Sequence, residues 1–138
     1  MKLALDIITP IKVVLSEEVD EVTLPTIDGE ITVLPNHVNL LTKIASGEMI
    51  IRKGTKTDLF AITGGFLEIT NNHVNVLSDY AVHAEDIEIA KVEEAKTRAE
   101  KAMKEKQTVK DYEELQDEIR KSVLQLKVAR RHKATRVS

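Results

Sequence analysis

The 138-residue sequence has no cysteine and no tryptophan, and it contains only two phenylalanines and two tyrosines. The absence of cysteine excludes disulfides, thiolate nucleophiles and cysteine-ligated metal sites, and it agrees with a reducing compartment. With so few aromatic rings, the chain lacks material for the base-stacking platforms of single-stranded nucleic-acid binders. No stretch approaches the roughly 20 apolar residues that cross a bilayer. Because residues 1–4 lead directly into a strand pattern, we expect neither a signal nor a transit peptide.

Glycine and proline are missing from one half of the chain. All five glycines and all three prolines lie within the first 65 residues, and the last 73 residues contain neither. Because these two residue types reverse the chain in tight turns, the first part is expected to turn often and the second part to run without interruption. We therefore predict an α+β chain of two domains, with a β-sandwich over 1–83 and an antiparallel two-helix hairpin over 84–138.

Short apolar runs between the turn residues predict strands. The apolar side chains alternate, so that in residues 74–76 they lie on one face of an extended chain. The pairs Asp28-Gly29 and Asn71-Asn72 suit tight turns between such runs. The predicted strands are 3–8, 12–16, 21–24, 30–33, 40–44, 48–52, 57–62, 66–70 and 73–78. Nine short strands in about 80 residues are typical of two sheets packed as a sandwich.

From Glu85 onward the apolar residues repeat with the period of a helix. The first helix presents a narrow seam of mostly small residues: Val92, Ala95, Ala99 and Ala102. The second presents larger ones: Tyr112, Leu115, Ile119, Ser122, Leu126 and Ala129. A helix lined by alanine lets a second helix approach closely, which favours a hairpin. Asp86 is the predicted N-cap of the first helix and Asp111 that of the second.

The segment that joins the two helices, residues 105–110, contains no helix breaker. Little in its composition prevents it from becoming helical, and the narrow alanine seam buries little apolar area. Docked and extended forms of the helices are then close in free energy, and we hypothesise a conformational switch. A permanent hairpin with a polar turn is the alternative that these features leave open.

The net charge of −3 is distributed unevenly. Residues 1–83 and 84–119 each carry −5, whereas residues 120–138 carry +7 and no acidic side chain. On a helix these basic residues form a broad stripe, which we expect to meet an acidic partner surface. The cationic stripe comprises Arg120, Lys121, Lys127, Arg130 and Arg131.

The cationic stripe has three other interpretations: a solvated helix face, a nucleic-acid contact and a lipid contact. A solvated helix face is the plainest of them. Nucleic acid is disfavoured because the rest of the chain is acidic and carries no base-reading motif. A lipid surface is disfavoured because the helix lacks the bulky apolar face that an interfacial helix inserts.

Motifs of catalysis are absent from the sequence. Imidazole and carboxylate both suit zinc, so His37, His73, His83 and Asp79 are the available ligands for a metal site on the β scaffold. However, no two histidines are three to five residues apart, and there is no His-Glu-x-x-His, Gly-x-Ser-x-Gly or P-loop pattern. We expect a non-catalytic protein without a metal site.

Four segments together resemble one protein family. They are residues 29–41 (GEITVLPNHVNLL), 64–69 (GGFLEI), 74–79 (VNVLSD) and 84–87 (AEDI). Their order, spacing and position before a helical tail are similar to those of the epsilon subunit of bacterial F-type ATP synthases, and the resemblance covers the whole chain. It implies a ten-stranded sandwich followed by a two-helix domain.

The resemblance also implies a function, partners and a location. The family sits on the central stalk of a proton- or sodium-translocating ATP synthase, where it couples the gamma subunit to the ring of c subunits. Its C-terminal domain extends to inhibit ATP hydrolysis, and the cationic stripe then faces acidic segments of the beta and alpha subunits. Such a subunit lies peripherally on the cytoplasmic side of the cell (inner) membrane, which it reaches only through the complex.

Site residues follow from the resemblance position by position. Glu30 falls where the family meets the polar loop of a c subunit, and His37 falls where it meets gamma. Leu34, Pro35 and Asn36 complete this contact region. Read without the family, Glu30 is a solvated turn residue and His37 closes a loop hydrogen bond. The competing interpretation of the whole chain is a β-sandwich binding module with a helical oligomerisation tail.

Some members of the family bind ATP in the helical domain through a pattern resembling Ile-Asp-x-x-Arg-Ala. The corresponding segment here, residues 87–92, has Glu88 for the aspartate and Lys91 for the arginine. Charge signs are kept, but the carboxylate is longer and the planar guanidinium is lost. The segment therefore favours a plain helix start over a regulatory ATP site at Glu88 and Lys91, and no other cofactor is expected.

Overall fold

A computed structural model describes the backbone of residues 2–105 and 108–137, with side chains up to residue 134. The chain divides into two compact units, Met1–His83 and Ala84–Ser138. Within the described residues, the first unit contains ten strands, and the second contains one short 3-10 helix and two α-helices. The strands are β1 (Leu3–Ile8), β2 (Val13–Val19), β3 (Glu21–Thr26), β4 (Gly29–Val33), β5 (Leu40–Lys43), β6 (Gly47–Lys53), β7 (Lys56–Thr63), β8 (Phe66–Thr70), β9 (His73–Leu77) and β10 (Tyr80–His83).

The ten strands form two five-stranded sheets. The first sheet has the order β2-β1-β9-β8-β5, and the second has the order β10-β7-β6-β3-β4. All pairings are antiparallel except that of β1 with β9, which is parallel. Alternate residues of the strands point between the sheets and form a buried apolar core, with Leu5, Ile51 and Leu67 among its members. The predicted β-sandwich is therefore confirmed.

The strand that the alternation pattern missed is β10. Its four residues are all partly buried, so no clear contrast between an inner and an outer face marks it. Strand β2 also extends beyond its predicted end, through the charged residues Glu17 and Glu18. It lies at the edge of its sheet, where charged side chains reach water without loss of pairing on the inner side.

Gly64 and Gly65 carry the chain from β7 in the second sheet to β8 in the first. Gly65 has φ +107, and a Cβ atom there would lie 1.9 Å from the backbone oxygen of Leu77. A side chain would therefore collide with the backbone of β9, so only glycine permits this close approach.

The second unit begins with a 3-10 turn at Ala84–Asp86 and continues as α1 (Ile89–Met103) and α2 (Val109–Val137). The two helices pack against each other, and Arg130 near the end of α2 pairs with Glu93 near the start of α1. They are therefore antiparallel, and the predicted hairpin is confirmed. Its buried residues include Ala99 on α1 and a short run on α2: Ser122, Leu126, Val128 and Ala129.

Both predicted helix caps were wrong. Asp86 lies in the 3-10 turn, and the N-cap of α1 is Glu88, whose side chain makes no capping bond. Helix α2 starts before Asp111, and the Thr108 hydroxyl accepts a hydrogen bond from the Asp111 N–H at 3.1 Å. Asp111 thus occupies the first turn, where its charge favours the helix dipole.

Part of the predicted helix-permissive linker, residues 105–110, lies outside the described residues, namely Lys106 and Gln107. On its N-terminal side, the N–H groups of Lys104 and Glu105 donate to the carbonyls of Lys101 and Ala102. These short-range bonds tighten the last turn of α1 and end the helix without a glycine.

Candidate functional site

The loop after β4 carries four of the predicted contact residues. In this 34–38 loop, the N–H of His37 donates to the Leu34 carbonyl at 3.1 Å, and its Nδ1 lies 2.7 Å from the Val38 oxygen. Asn36 has a positive φ of 68°. Leu34 and Val38 are exposed by 51% and 75%, whereas His37 is only partly exposed. The loop therefore presents apolar side chains outward, and the imidazole closes the turn.

Glu30 lies at the other end of β4. The turn before it is held by Thr26, whose hydroxyl accepts from the Asp28 N–H at 3.2 Å and donates to the Gly29 carbonyl at 2.7 Å. Glu30 itself is exposed on an edge strand. Since each strand residue advances the chain by about 3.3 Å, Glu30 and the 34–38 loop are about 13 Å apart along β4. The structure therefore places Glu30 and the 34–38 loop at opposite ends of β4 and does not bring them together.

Sequence reasoning missed an apolar surface on the outer face of the first sheet. Ile8 pairs with Val13 on one side and Leu77 on the other, and Leu77 pairs with Phe66. These four residues form the apolar row. Val13, Leu77 and Phe66 are exposed by 60%, 46% and 48%. Large apolar side chains aligned across four strands are typical of a binding surface.

Three residues of the apolar row also line a cavity of about 600 Å³, namely Ile8, Phe66 and Leu77, together with Ile27, Lys43 and Asp79. Ile27 belongs to the turn that precedes Glu30 and is itself 62% exposed. The sequence did carry a signal for this surface. Apolar residues stand at the strand positions that alternation assigns to solvent, as Phe66 does beside buried Leu67.

All five residues of the cationic stripe are exposed. Arg130 and Arg120 are among those that bind carboxylates within the helical unit. Arg130 Nη2 lies 2.6 Å from Glu93 Oε1 across the hairpin, and Arg120 Nη1 lies 3.5 Å from Asp117 Oδ1 along α2. The stripe is therefore a charged surface whose members are partly engaged by the chain itself.

Glu88 and Lys91, the residues of the alternative ATP site, bind each other. Lys91 Nζ lies 2.9 Å from Glu88 Oε2, and both side chains are more than half exposed. The Glu88 carboxylate raises the pKa of Lys91 above its usual value. ATP would have to separate this pair. The prediction that the segment is a plain helix start rather than an ATP site is tested by calorimetry with ATP and the purified chain.

The histidines are divided among separate contacts. His73 Nε2 lies 2.6 Å from Asp6 Oδ2, and His83 Nε2 lies 3.2 Å from Asp58 Oδ1. Hydrogen bonds from the Ser16 hydroxyl and from His73 lower the pKa of Asp6. Within residues 2–105 and 108–137, no three histidine, aspartate or glutamate side chains gather as metal ligands.

Two family models match consecutive parts of the chain. The "ATP synthase, Delta/Epsilon chain, beta-sandwich domain" matches residues 2–84, and the "ATP synthase, Delta/Epsilon chain, long alpha-helix domain" matches residues 85–130. The chain belongs to the ATP synthase delta/epsilon chain family. This match confirms the resemblance to the epsilon subunit of ATP synthases. The resemblance rests on residues 29–41, 64–69, 74–79 and 84–87.

Relatives within the delta/epsilon family match over nearly the full length. The ATP synthase epsilon chain of Herpetosiphon aurantiacus is 38% identical over 130 residues, which cover 94% of this chain and 96% of that one. The ATP synthase epsilon chain of Dehalococcoides mccartyi (strain CBDB1) is 41% identical over 133 residues, with 96% and 95% covered.

Solved structures share the fold of this delta/epsilon family member. A chain of the Euglena gracilis mitochondrial ATP synthase (OSCP/F1/c-ring, rotational state 1) superposes with a TM-score of 0.68 at 23% identity, covering 97% of this chain and 81% of that chain. A chain of the Tetrahymena thermophila mitochondrial ATP synthase central stalk/c-ring gives 0.63 at 15% identity, with 94% and 97% covered.

Neither helix of this family member has an apolar stretch of membrane-spanning length among the residues that the structure describes. The individual roles assigned to Glu30, the 34–38 loop and the cationic stripe stay predictions, since family membership alone does not assign a partner to a side chain.

Proposed function

We propose that the chain is a non-catalytic rotor subunit on the central stalk of an F-type ATP synthase, where the sandwich couples gamma to the ring of c subunits. The observation that carries the proposal is family membership across both units, at 38% identity to an ATP synthase epsilon chain. The complex that this subunit serves translocates protons or sodium, and the subunit lies on the cytoplasmic side of the cell membrane.

In this proposal the sandwich has two docking points, Glu30 and the 34–38 loop, and it also carries the apolar row. Glu30, on a turn braced by Thr26, contacts the polar loop of a c subunit. The 34–38 loop contacts gamma with its exposed Leu34 and Val38. A sheet cross-linked by backbone hydrogen bonds transmits torque between two such points with little deformation, which supports the coupling role.

The helical unit acts as the inhibitor of ATP hydrolysis in this proposal. Its narrow seam buries few large side chains, so the hairpin opens at moderate cost in free energy. When it extends, the cationic stripe meets acidic segments of the beta and alpha subunits. Seven positive charges and no negative ones within residues 120–138 support an acidic partner.

Reconstitution of the catalytic complex tests both parts of the proposal. The full chain and a truncation after His83 are each combined with the alpha, beta and gamma subunits, and the rate of ATP hydrolysis is measured. We expect both forms to co-purify with gamma and the truncated form to hydrolyse ATP faster. Equal rates would contradict inhibition. A chain that self-associates without binding gamma would support the binding-module interpretation instead.

A charge variant tests the cationic stripe separately. Replacing Arg120, Lys127 and Arg131 with glutamine should relieve inhibition, because the acidic partner surface loses its counter-charges. The matched control removes the same charge from α1 through Lys96→Gln, Arg98→Gln and Lys101→Gln. If the two variants relieve inhibition equally, net charge rather than the stripe is responsible.

A further inference from the structure

The turn between β8 and β9 contacts the 34–38 loop through Asn36 and Asn72, which are 36 positions apart in the sequence. Asn71 and Asn72 form this turn with φ values of 47° and 62°, the left-handed conformation that asparagine tolerates better than most residues. The side-chain oxygen Oδ1 of Asn72 accepts a hydrogen bond from the backbone N–H of Asn36 at 2.5 Å. The turn thereby satisfies a backbone donor in the middle of the loop.

A second bond runs in the opposite direction. The side-chain oxygen of Asn39, just after the loop, accepts from the backbone N–H of Asn71 at 3.4 Å. Each of the two turns therefore holds a backbone N–H of the other through an asparagine side chain. We call Asn36, Asn39, Asn71 and Asn72 the asparagine clamp. Together with His37 they line a concavity of about 280 Å³.

Within the clamp, the bond from Asn72 holds Asn36, the loop residue with a positive φ. Asn36 is held at φ 68°, a left-handed conformation that asparagine tolerates better than most residues but that is still less favourable than the right-handed region. The neighbouring Leu34 and Val38 are exposed, so their burial in a core does not order the loop. A fixed acceptor for the Asn36 N–H therefore restricts the conformations that this exposed loop can sample.

We propose that Asn72 and Asn39 are positioning residues, which order the 34–38 loop before it binds the gamma subunit. The inference rests on the proposed function for the identity of the partner. A loop that is already ordered loses less conformational entropy on binding, so the hydrogen bonds that Asn72 and Asn39 accept tighten the complex. The affinity of the 34–38 loop for gamma then depends in part on Asn72, which lies in the turn between β8 and β9 and not in the loop itself.

Three variants at the turn isolate the Asn72 side chain. Asn72→Gly removes the acceptor oxygen and keeps the positive φ, and Asn72→Asp keeps both the φ and an acceptor oxygen. Asn71→Gly is the matched control, because it makes the same change one residue away and retains the backbone N–H that Asn39 binds. Amide hydrogen exchange in the full chain reads out the order of the loop directly.

We expect Asn72→Gly to speed exchange of the Asn36 N–H at least tenfold, with core amides such as Leu67 unchanged. Asn72→Asp should restore protection, and Asn71→Gly should retain it. If Asn72→Gly leaves exchange at Asn36 unchanged, or if Asn71→Gly speeds it equally, the clamp does not order the loop and the inference is overturned.

Binding to purified gamma subunit, measured by calorimetry, completes the test. We expect Asn72→Gly to raise Kd about tenfold, with Asn72→Asp and Asn71→Gly close to the unaltered chain. Faster exchange at Asn36 with an unchanged Kd would overturn the positioning role. If the unaltered chain fails to bind gamma, the proposed function fails, and the exchange data still decide whether the clamp orders the loop.

Discussion

The two units of the chain differ in how their interiors are built. Among the described residues, the sandwich has a core cluster of sixteen buried apolar residues drawn from strands far apart in sequence, and Leu5, Ile51 and Leu67 are members of it. The helical unit has fewer buried residues, and they include the small Ala99 and Ala129 as well as Leu126. A buried leucine contributes about 1.5–3 kcal/mol and an alanine much less. The interior of the helical unit is therefore held by fewer large side chains than that of the sandwich, which supports the hypothesis that the hairpin opens.

The backbone shows the same difference. All glycines and prolines lie in the sandwich, where they shape turns and crossings, and the helical unit has none. The sandwich is thus sensitive to changes of backbone conformation at single positions, and the helical unit is sensitive to changes of side-chain size and charge.

The largest expected effect is at the crossing between the sheets. Gly65→Ala places a methyl group 1.9 Å from the Leu77 oxygen at φ +107, and the backbone must move to accept it. We expect the free energy of unfolding of the sandwich to fall by about 3 kcal/mol or more, as measured by denaturant titration.

Gly54→Ala is the matched control for this change. Gly54 also has a positive φ, of 62°, but a Cβ there would have no neighbour within 4 Å. We therefore expect a loss of only about 1 kcal/mol from backbone strain. Equal losses for the two variants would show that strain, rather than the close approach of β8 and β9, makes Gly65 necessary.

The next effect concerns the seam of the hairpin. Leu126 is 4% exposed, and Leu126→Ala should destabilise the packing of α1 on α2 by about 2 kcal/mol. Amide exchange should quicken in both helices and stay unchanged at core positions of the sandwich such as Ile69. If protection falls equally in both units, they unfold as one body and the contrast between them is wrong.

The sequence predicted the features that depend on local chemistry. Alternation around Val74 and Val76 marks a strand because neighbouring side chains must face opposite sides of a sheet, and the helical period of the apolar residues from Glu85 onward marks the change to helix. The nine strands predicted from alternation all exist. The tenth, Tyr80–His83, has no contrast in burial, and it was expected only through the family resemblance.

Features that depend on residues distant in sequence were not predicted. The apolar row is recognised only once β2, β1, β9 and β8 are known to be neighbours, since Val13 and Leu77 are 64 positions apart. The bond from Asn36 to Asn72 is hidden for the same reason. The predicted N-caps Asp86 and Asp111 were wrong for local reasons. Asp86 lies in a 3-10 turn before α1, and the Thr108 hydroxyl rather than Asp111 accepts a hydrogen bond at the start of α2.

A smaller effect is expected of pH on the free energy of unfolding of the sandwich, through Asp6. Hydrogen bonds from Ser16 and His73 lower the pKa of Asp6 below its usual 3.8, so the folded state binds a proton there less readily than the unfolded state. This contribution to stability is complete above pH 3.8 and is lost as pH falls through the lowered pKa. Asp6→Asn should cost about 1 kcal/mol at neutral pH and flatten the acid limb of a stability curve.

Ser16→Ala serves as the control for this pH effect, because it removes the larger of the two hydrogen-bond contributions and keeps the carboxylate. Its acid limb should lie between those of the unaltered chain and Asp6→Asn. An acid limb in Asp6→Asn as steep as in the unaltered chain would assign the acid sensitivity to other groups.

The smallest effect lies in the ion pair that closes the hairpin. Arg130 and Glu93 are bonded at 2.6 Å but are each more than half exposed, so the pair contributes only about 0.5 kcal/mol. Because the proposed inhibitory state needs Arg130 for an acidic partner, Glu93 competes with that partner. Glu93→Gln should therefore favour extension slightly and strengthen inhibition of ATP hydrolysis, by about twofold at low salt and less at high salt.

Exchanging the charges of Glu93 and Arg130 distinguishes competition for Arg130 from a loss of stability of the docked hairpin. In Glu93→Arg with Arg130→Glu the pair across the hairpin is rebuilt, so the docked form keeps its stability in amide exchange. The residue offered to the acidic partner is now a glutamate, and inhibition should fall below that of the unaltered chain. If the exchanged chain inhibits as strongly as the original, Arg130 serves only the hairpin, and the cationic stripe acts through its other members.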